Sequence, residues 1–142
     1  MGDVVEKIKI KSIISKKPGE LKVYFDSGSP FTFISEKKAK QLGGIMKLPK
    51  SHDFAGLGNG KFISKSVIEL WFDLLGIWCS HLSYIVTDDI TGQEDILCGH
   101  DFMQVYDIKL DLKKRKIILD KKSLLRAQII KKLRRETKNI IT

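Results

Sequence analysis

Val23-Tyr24-Phe25-Asp26-Ser27-Gly28-Ser29-Pro30-Phe31-Thr32-Phe33-Ile34-Ser35 is the stretch that decides the fold. An apolar strand, Leu21 to Phe25, runs straight into Asp26-Ser27-Gly28, and a second extended segment, Phe31 to Ile34, leaves it. Glycine and proline between the two impose a tight loop. Asp-Ser-Gly by itself is an ordinary turn. Set between two apolar strands, the aspartate is held rigidly, which is what a reacting carboxylate needs.

Outward from this stretch the chain reads as more strands. Val4 to Ser15 is rich in Ile and Val with interleaved Lys, and Lys17-Pro18-Gly19-Glu20 is a turn signal, so the first two strands form a hairpin. On the other side, Ser35 is a helix N-cap, Glu36 lies in the first turn, and Gly43-Gly44 is the stop. Phe54 to Ile63 contains Gly56-Leu57-Gly58-Asn59-Gly60, in which Asn59-Gly60 favours a hairpin turn because both residues tolerate positive φ. Two long strands follow, Phe62 to Leu74 and Ile77 to Thr87, turning at Leu75-Gly76. Asp95 to Cys98 is a short buried strand and Gly99 to Tyr106 a short helix. Ile108 to Leu112 and Lys116 to Leu119 form a last hairpin around Lys113-Lys114-Arg115. Beyond Asp120, Leu124, Leu125, Ile129, Ile130 and Leu133 recur at helical spacing among basic residues. The class is all-β: a closed barrel, one or two short helices, and an added basic C-terminal helix.

Composition fits one domain. The chain has 142 residues, 42% of them hydrophobic and 30% charged, and domains commonly run to roughly 100–150 residues. No apolar run reaches the roughly 18–20 residues of a membrane span; the longest, Leu70 to Val86, is broken by Asp73, Ser80 and His81. The N-terminus lacks a basic region followed by an apolar core, and Cys79 and Cys98 belong to no CxxC pair, so the expectation is a cytoplasmic protein with two reduced, buried thiols. The net charge of +9 is concentrated at one end: residues 113–142 hold twelve Lys/Arg and two Asp/Glu, and the rest of the chain is nearly neutral. Other chemistries lack their residues. His52, His81 and His100 form no compact ligand set and read as surface or core histidines. Ala55 and Phe62 break any P-loop reading of the Gly-rich segment, and Ser27 and Ser29 make no GxSxG elbow.

In order and spacing, residues 4 to 119 resemble the retropepsin-like aspartic proteases. The quoted stretch matches that family's Asp-Thr/Ser-Gly triplet after an apolar strand. Leu97-Cys98-Gly99-His100-Asp101-Phe102-Met103 matches its second phrase, two apolar residues, Gly, any residue, Asp or Asn, then apolar residues opening a helix. Phe54, Gly56, Leu57, Gly58, Asn59, Gly60 and Lys61 stand where the family carries its flap, and Asp107 to Leu119 is similar to the closing strand pair. Pro30 departs from the small or acidic residue of many members, and Cys98 from an aliphatic one.

The resemblance implies a homodimeric aspartic endopeptidase acting on an extended polypeptide, with no metal and no cofactor. One carboxylate cannot be base and acid in a single step, whereas two a few Å apart share a proton, one accepting from water and the other donating to the scissile carbonyl. The chain has one such triplet, so a second copy must bring the other Asp26 across a two-fold axis. Asp26 is the expected catalytic residue, with Ser27, Gly28 and Ser29 forming the active-site loop. Ser27 would brace the two loops and Gly28 would let backbone approach water and substrate. Leu97, Gly99 and Asp101 would support the catalytic loop. The expected division is a protease domain over 1–120 and a basic amphipathic helix or tail over 121–142, whose Leu/Ile stripe would dock on protein or whose charge would meet an anionic partner. Two other readings stay open: a dimerisation or interaction module of the same fold with little activity, and a nucleic-acid-associated protein using the tail.

Overall fold

Alternation places the core. In β1 (Val4–Ser12), Val4, Ile8, Ile10 and Ser12 turn inward, and in β2 (Gly19–Phe25), Leu21, Val23 and Phe25 do so. The structure, a computed structural model, describes residues 4–15, 17–55, 61–87 and 94–141. The remaining strands are β3 (Phe33–Ser35), β4 (Met46–Ala55), β5 (Lys61–Leu74), β6 (Ile77–Val86), β7 (Ile96–Cys98), β8 (Lys109–Asp111) and β9 (Lys116–Ile118). Helices α1 (Glu36–Leu42), α2 (His100–Val105) and α3 (Lys121–Ile141) complete the chain.

Six strands close a barrel in the order β1-β2-β7-β3-β6-β5, with β5 returning to β1, and β4 extends outward from β5. Closure pairs the edges of these six strands with one another and leaves β4 as an edge strand. β1 and β2 form the expected hairpin, Val4 opposite Phe25 and Ile10 opposite Gly19. β2–β7 and β3–β6 are parallel pairs, β3–β7 and β5–β6 antiparallel. The β5–β6 turn is Leu75-Gly76, both at positive φ (55° and 79°), with Asp73 Oδ1 accepting from the Gly76 N–H at 3.0 Å. Ile68, Leu70, Phe72, Ile96, Phe102 and Tyr106 fill the barrel. Cys79 and Cys98 are free, buried thiols, and burial pushes the Cys79 thiol up to about 12.

Ser35 caps α1 as expected, accepting from the Lys38 N–H at 3.3 Å, and the Gly43 N–H closes the other end on the Ala39 carbonyl. β4 is a strand with no sequence signal. It carries Lys47, Pro49, Lys50 and Ser51, and it tolerates Pro49 because it is paired only with β5, in a stretch where the register shifts between Lys47 and His52.

The C-terminal helix docks on β6, by a different face from the one its leucines advertise. Leu124 and Ala127 are buried, whereas Leu125, Ile129 and Leu133 are exposed. Small Ala127 lets the helix approach the sheet closely. Gln128 Nε2 donates to the Trp78 carbonyl at 3.2 Å, and Arg135 lies 5.6 Å from the Trp71 ring. The Lys131 ammonium donates to the Ser80 carbonyl, which also accepts from the Tyr106 hydroxyl at 2.5 Å, and it sits 4.9 Å from the Tyr106 ring. Burial pulls the Lys131 pKa down, and the attraction of Glu69 only partly opposes this. The charged ends of Lys131 and Arg135 thus lie over aromatic rings, which the leucine pattern does not reveal. No helix among the described residues is long and apolar enough to cross a membrane.

The docking face makes a prediction. Leu124→Ala should cost about 2–4 kcal/mol of unfolding free energy, as for a fully buried leucine. Leu125→Ala should stay within about 0.5 kcal/mol. Chemical denaturation of the two variants checks both, and equal losses would mean that the helix docks differently.

Candidate active site

The loop from Asp26 to Thr32 is tied down from both ends. β2 and β7 run parallel through Phe25 and Cys98, and the Asp26 N–H continues that ladder onto the Cys98 carbonyl at 2.9 Å. Beyond the loop, the Thr32 carbonyl accepts from the Tyr84 N–H at 3.0 Å, leading into β3–β6 pairing. Between these anchors, Asp26 Oδ1 accepts from the Gly28 N–H at 2.9 Å and the Asp26 carbonyl from the Ser29 N–H at 3.1 Å. The Ser29 hydroxyl donates to the Phe31 carbonyl at 2.8 Å. Asp26 is half-buried, while Ser27 and Gly28 are exposed.

Underneath lies the second motif. The His100 N–H reaches the Ser29 carbonyl at 2.6 Å. Gly99 sits so close to the loop that a Cβ there would meet the Ser29 carbonyl oxygen at 2.6 Å and the Phe31 carbonyl oxygen closer still. Thr32 Oγ1 accepts from the Gly99 N–H at 3.1 Å and donates to Asp101 Oδ1 at 2.7 Å. Asp101 Oδ1 also accepts from its neighbour's N–H, Phe102, at 2.8 Å, and Asp101 Oδ2 meets His81 Nε2 at 2.9 Å. Burial raises the Asp101 pKa, but the hydrogen bonds from His81 and Thr32, the charge of His81 and the Phe102 N–H together outweigh it and hold the carboxyl below its ordinary value.

Above the loop, β4 and β5 run as the two legs of a hairpin, Phe54 opposite Phe62 and Ala55 opposite Lys61. Phe54 is buried among Phe33 and Val86, stacked on the His52 ring at 4.2 Å and on Phe62 at 5.3 Å, with Phe31 edge-on at 5.2 Å and Tyr84 at 4.8 Å. Leu97 packs against the same cluster. Gly56, Leu57, Gly58, Asn59 and Gly60 lie outside the described residues, as does the Lys61 side chain.

The structure therefore brings Asp26, Ser27, Gly28 and Ser29 together with Gly99 and Asp101, and sets Leu97 and Phe54 in an apolar group beside them. Sequence reasoning missed Thr32 and His81 as the partners of Asp101. A signal existed for His81: in β6 the inward series is Ile77, Cys79, His81, Ser83, Ile85, so a histidine occupies a core-facing slot that demands a polar partner.

Neither a protein-family description nor a curated protein matches the chain. Solved structures do. The retroviral protease-like domain of Ddi1 from Leishmania major superposes with a TM-score of 0.50 at 14% identity, covering 82% of this chain and 87% of that one. The fold is retropepsin-like. The EIAV protease complexed with the inhibitor HBY-793 is similar at a TM-score of 0.48 and 14% identity, over 75% of this chain and 90% of that one. In this retropepsin-like barrel, the Asp26 loop and the Gly99–Asp101 segment are the two motifs packed against each other.

Two variants test that support. Gly99→Ala should destabilise the protein by about 3 kcal/mol or more, because backbone carbonyls rather than mobile side chains must move. A melting temperature unchanged by this substitution would contradict the close approach. Asp101 has its pKa lowered by folding, so its contribution is present above the ordinary carboxylate value and is lost as pH falls through the lowered one. Thermal melts from about pH 6 to about pH 2.5 should therefore fall more steeply for the wild type than for Asp101→Asn below about pH 4. Asp120, also lowered, chiefly by the Ser123 hydroxyl, is common to both proteins and cancels. Parallel curves would show that the Asp101 network adds nothing.

Proposed function

We propose that the chain is an aspartic endopeptidase that works as a symmetric homodimer, with residues 1–120 as the protease domain and 121–142 as an appended helix. The observation that supports this most is the setting of Asp26. Its carboxylate is oriented by the Gly28 N–H, on a loop fixed by Gly99, Thr32 and Asp101, while Ser27 and Gly28 beside it stay open to solvent. A rigid, partly exposed carboxylate beside exposed small residues is poised to meet its own copy.

In the dimer the two Asp26 carboxylates share one proton. The ionised one takes a proton from a water held between them as that water attacks the scissile carbonyl, and the protonated one donates to the carbonyl oxygen. The water oxygen bonds to carbon, giving a tetrahedral gem-diol, and its collapse breaks the C–N bond as a proton passes to the leaving amine. Ser27 braces one loop against the other, and the exposed Gly28 backbone lies along an extended substrate. The hairpin legs β4 and β5 lead to the flap, with Phe54 at its base; Gly56, Leu57, Gly58, Asn59, Gly60 and Lys61 are assigned to it as substrate-binding residues, for a peptide that binds as an added strand. With Phe31, Phe33, Leu97 and Tyr84 nearby, the cleft favours apolar residues around the cut.

A denatured protein mixture incubated with wild type and with Asp26→Asn tests the proposal. Cleavage should be bell-shaped in pH, because the pair works only with one proton, and Asp26→Asn should lose at least about a thousandfold with an unchanged melting temperature. Sedimentation at tens of micromolar should show a dimer. Full activity in Asp26→Asn would overturn the catalytic assignment. A stable dimer without wild-type cleavage at any pH would leave an interaction module in its place.

A further inference from the structure

The docked helix α3 leaves a second apolar face. Its contacts with the barrel run through Leu124, Ala127, Gln128, Lys131 and Arg135. Leu125, Ile129 and Leu133 project away from the barrel, 41%, 59% and 55% exposed, and their spacing of four residues stacks them on one side of the helix. Lys122, Arg126 and Lys132 around them are exposed as well. The helix carries eight Lys/Arg and a single acidic residue, Glu136. Three aliphatic side chains stacked in water on one side of the most basic element of the molecule, with Ile130 exposed on the flank, are neither core nor an ordinary solvated face.

Charge decides among the occupants. A second copy of the same face would set two strongly basic helices against each other. A nucleic acid would satisfy the cations, but it would press the aliphatic row against phosphates, where it gains nothing, and no aromatic residue stands in the helix to stack on bases. An anionic bilayer satisfies both halves: aliphatic side chains enter the boundary between headgroups and acyl chains, and the flanking ammonium and guanidinium groups meet the headgroup charge.

We propose that α3 seats the protein on anionic membrane surfaces, lying in the interface through Leu125, Ile129 and Leu133. Nothing in this requires a membrane span. It leaves the Asp26 loop accessible, because α3 docks on β6 around Trp78 and Ser80, whereas the loop meets β6 at Tyr84, four residues and about 13 Å further along. The proposal stands apart from the peptidase reading, since its readout is binding alone.

Full-length protein is mixed with phosphatidylcholine vesicles, with and without phosphatidylserine, and sedimented at low and high salt. Binding should be at least about tenfold stronger with phosphatidylserine and should weaken at high salt. The combined variant Leu125→Ser, Ile129→Ser, Leu133→Ser should bind about tenfold less with an unchanged melting temperature, since these residues are exposed. An Ile129→Trp protein should shift its emission to the blue on phosphatidylserine vesicles. Equal binding by the triple variant, no binding of the wild type at low salt, or no emission shift would overturn the proposal. So would conversion of a dimer to monomers by the triple variant, which would make the face a contact between copies, or duplex DNA binding that outcompetes the vesicles.

Discussion

The carboxylate of Asp101 is the constraint on which the rest of the site depends. It accepts from Thr32 Oγ1 and the Phe102 N–H, and it meets His81, so one side chain joins the exit of the Asp26 loop, the start of α2 and strand β6. A charge in that position is expensive to bury unless its partners are all present. The three partners arrive from three separate elements, which makes the network a test of correct assembly: if any of them is out of register, the charge is left under-satisfied. Thr32 then passes the restraint on. Its hydroxyl oxygen takes the Gly99 N–H, and Gly99, lacking a side chain, lets the loop carrying Asp26 settle directly on the β7–α2 corner.

Much of this is legible in the sequence. The triplet between two apolar strands, the Leu75-Gly76 turn, the Ser35 cap and the Gly99–Asp101 phrase are local signals, each set by neighbours a few residues apart. What the sequence does not show is what depends on distant pairing. The parallel ladders β2–β7 and β3–β6 leave no mark in either strand alone. β4 hides because an edge strand needs neither strict alternation nor every N–H, so Lys47-Leu48-Pro49-Lys50 passes for loop. The inward slot of His81 calls for a polar partner, but that the partner is Asp101, twenty positions away, leaves no local mark.

The C-terminal helix shows a different limit. Periodicity marks an amphipathic helix correctly, but it does not say which of two faces docks. Ala127 is buried on the docked face, and the charged ends of Lys131 and Arg135 lie over the rings of Tyr106 and Trp71. Placing Lys131 there has an electrostatic cost, offset by the Ser80 carbonyl, the ring face and Glu69. The arrangement resembles a lid of cations over an aromatic floor, with the hydrocarbon kept outside.

The long reach between Thr32 and Asp101 also bears on the order of events during synthesis. The two residues are separated by 69 positions, and the ladder that aligns Phe25 with Cys98 spans a similar stretch. Contacts that distant form late, because the intervening chain must first be closed into a loop at an entropic cost. A growing chain therefore presents Asp26 early, long before the residues that fix its loop have been made. Until residue 101 has emerged and the barrel has closed, the Asp26 loop lacks the partners that fix it in the folded chain.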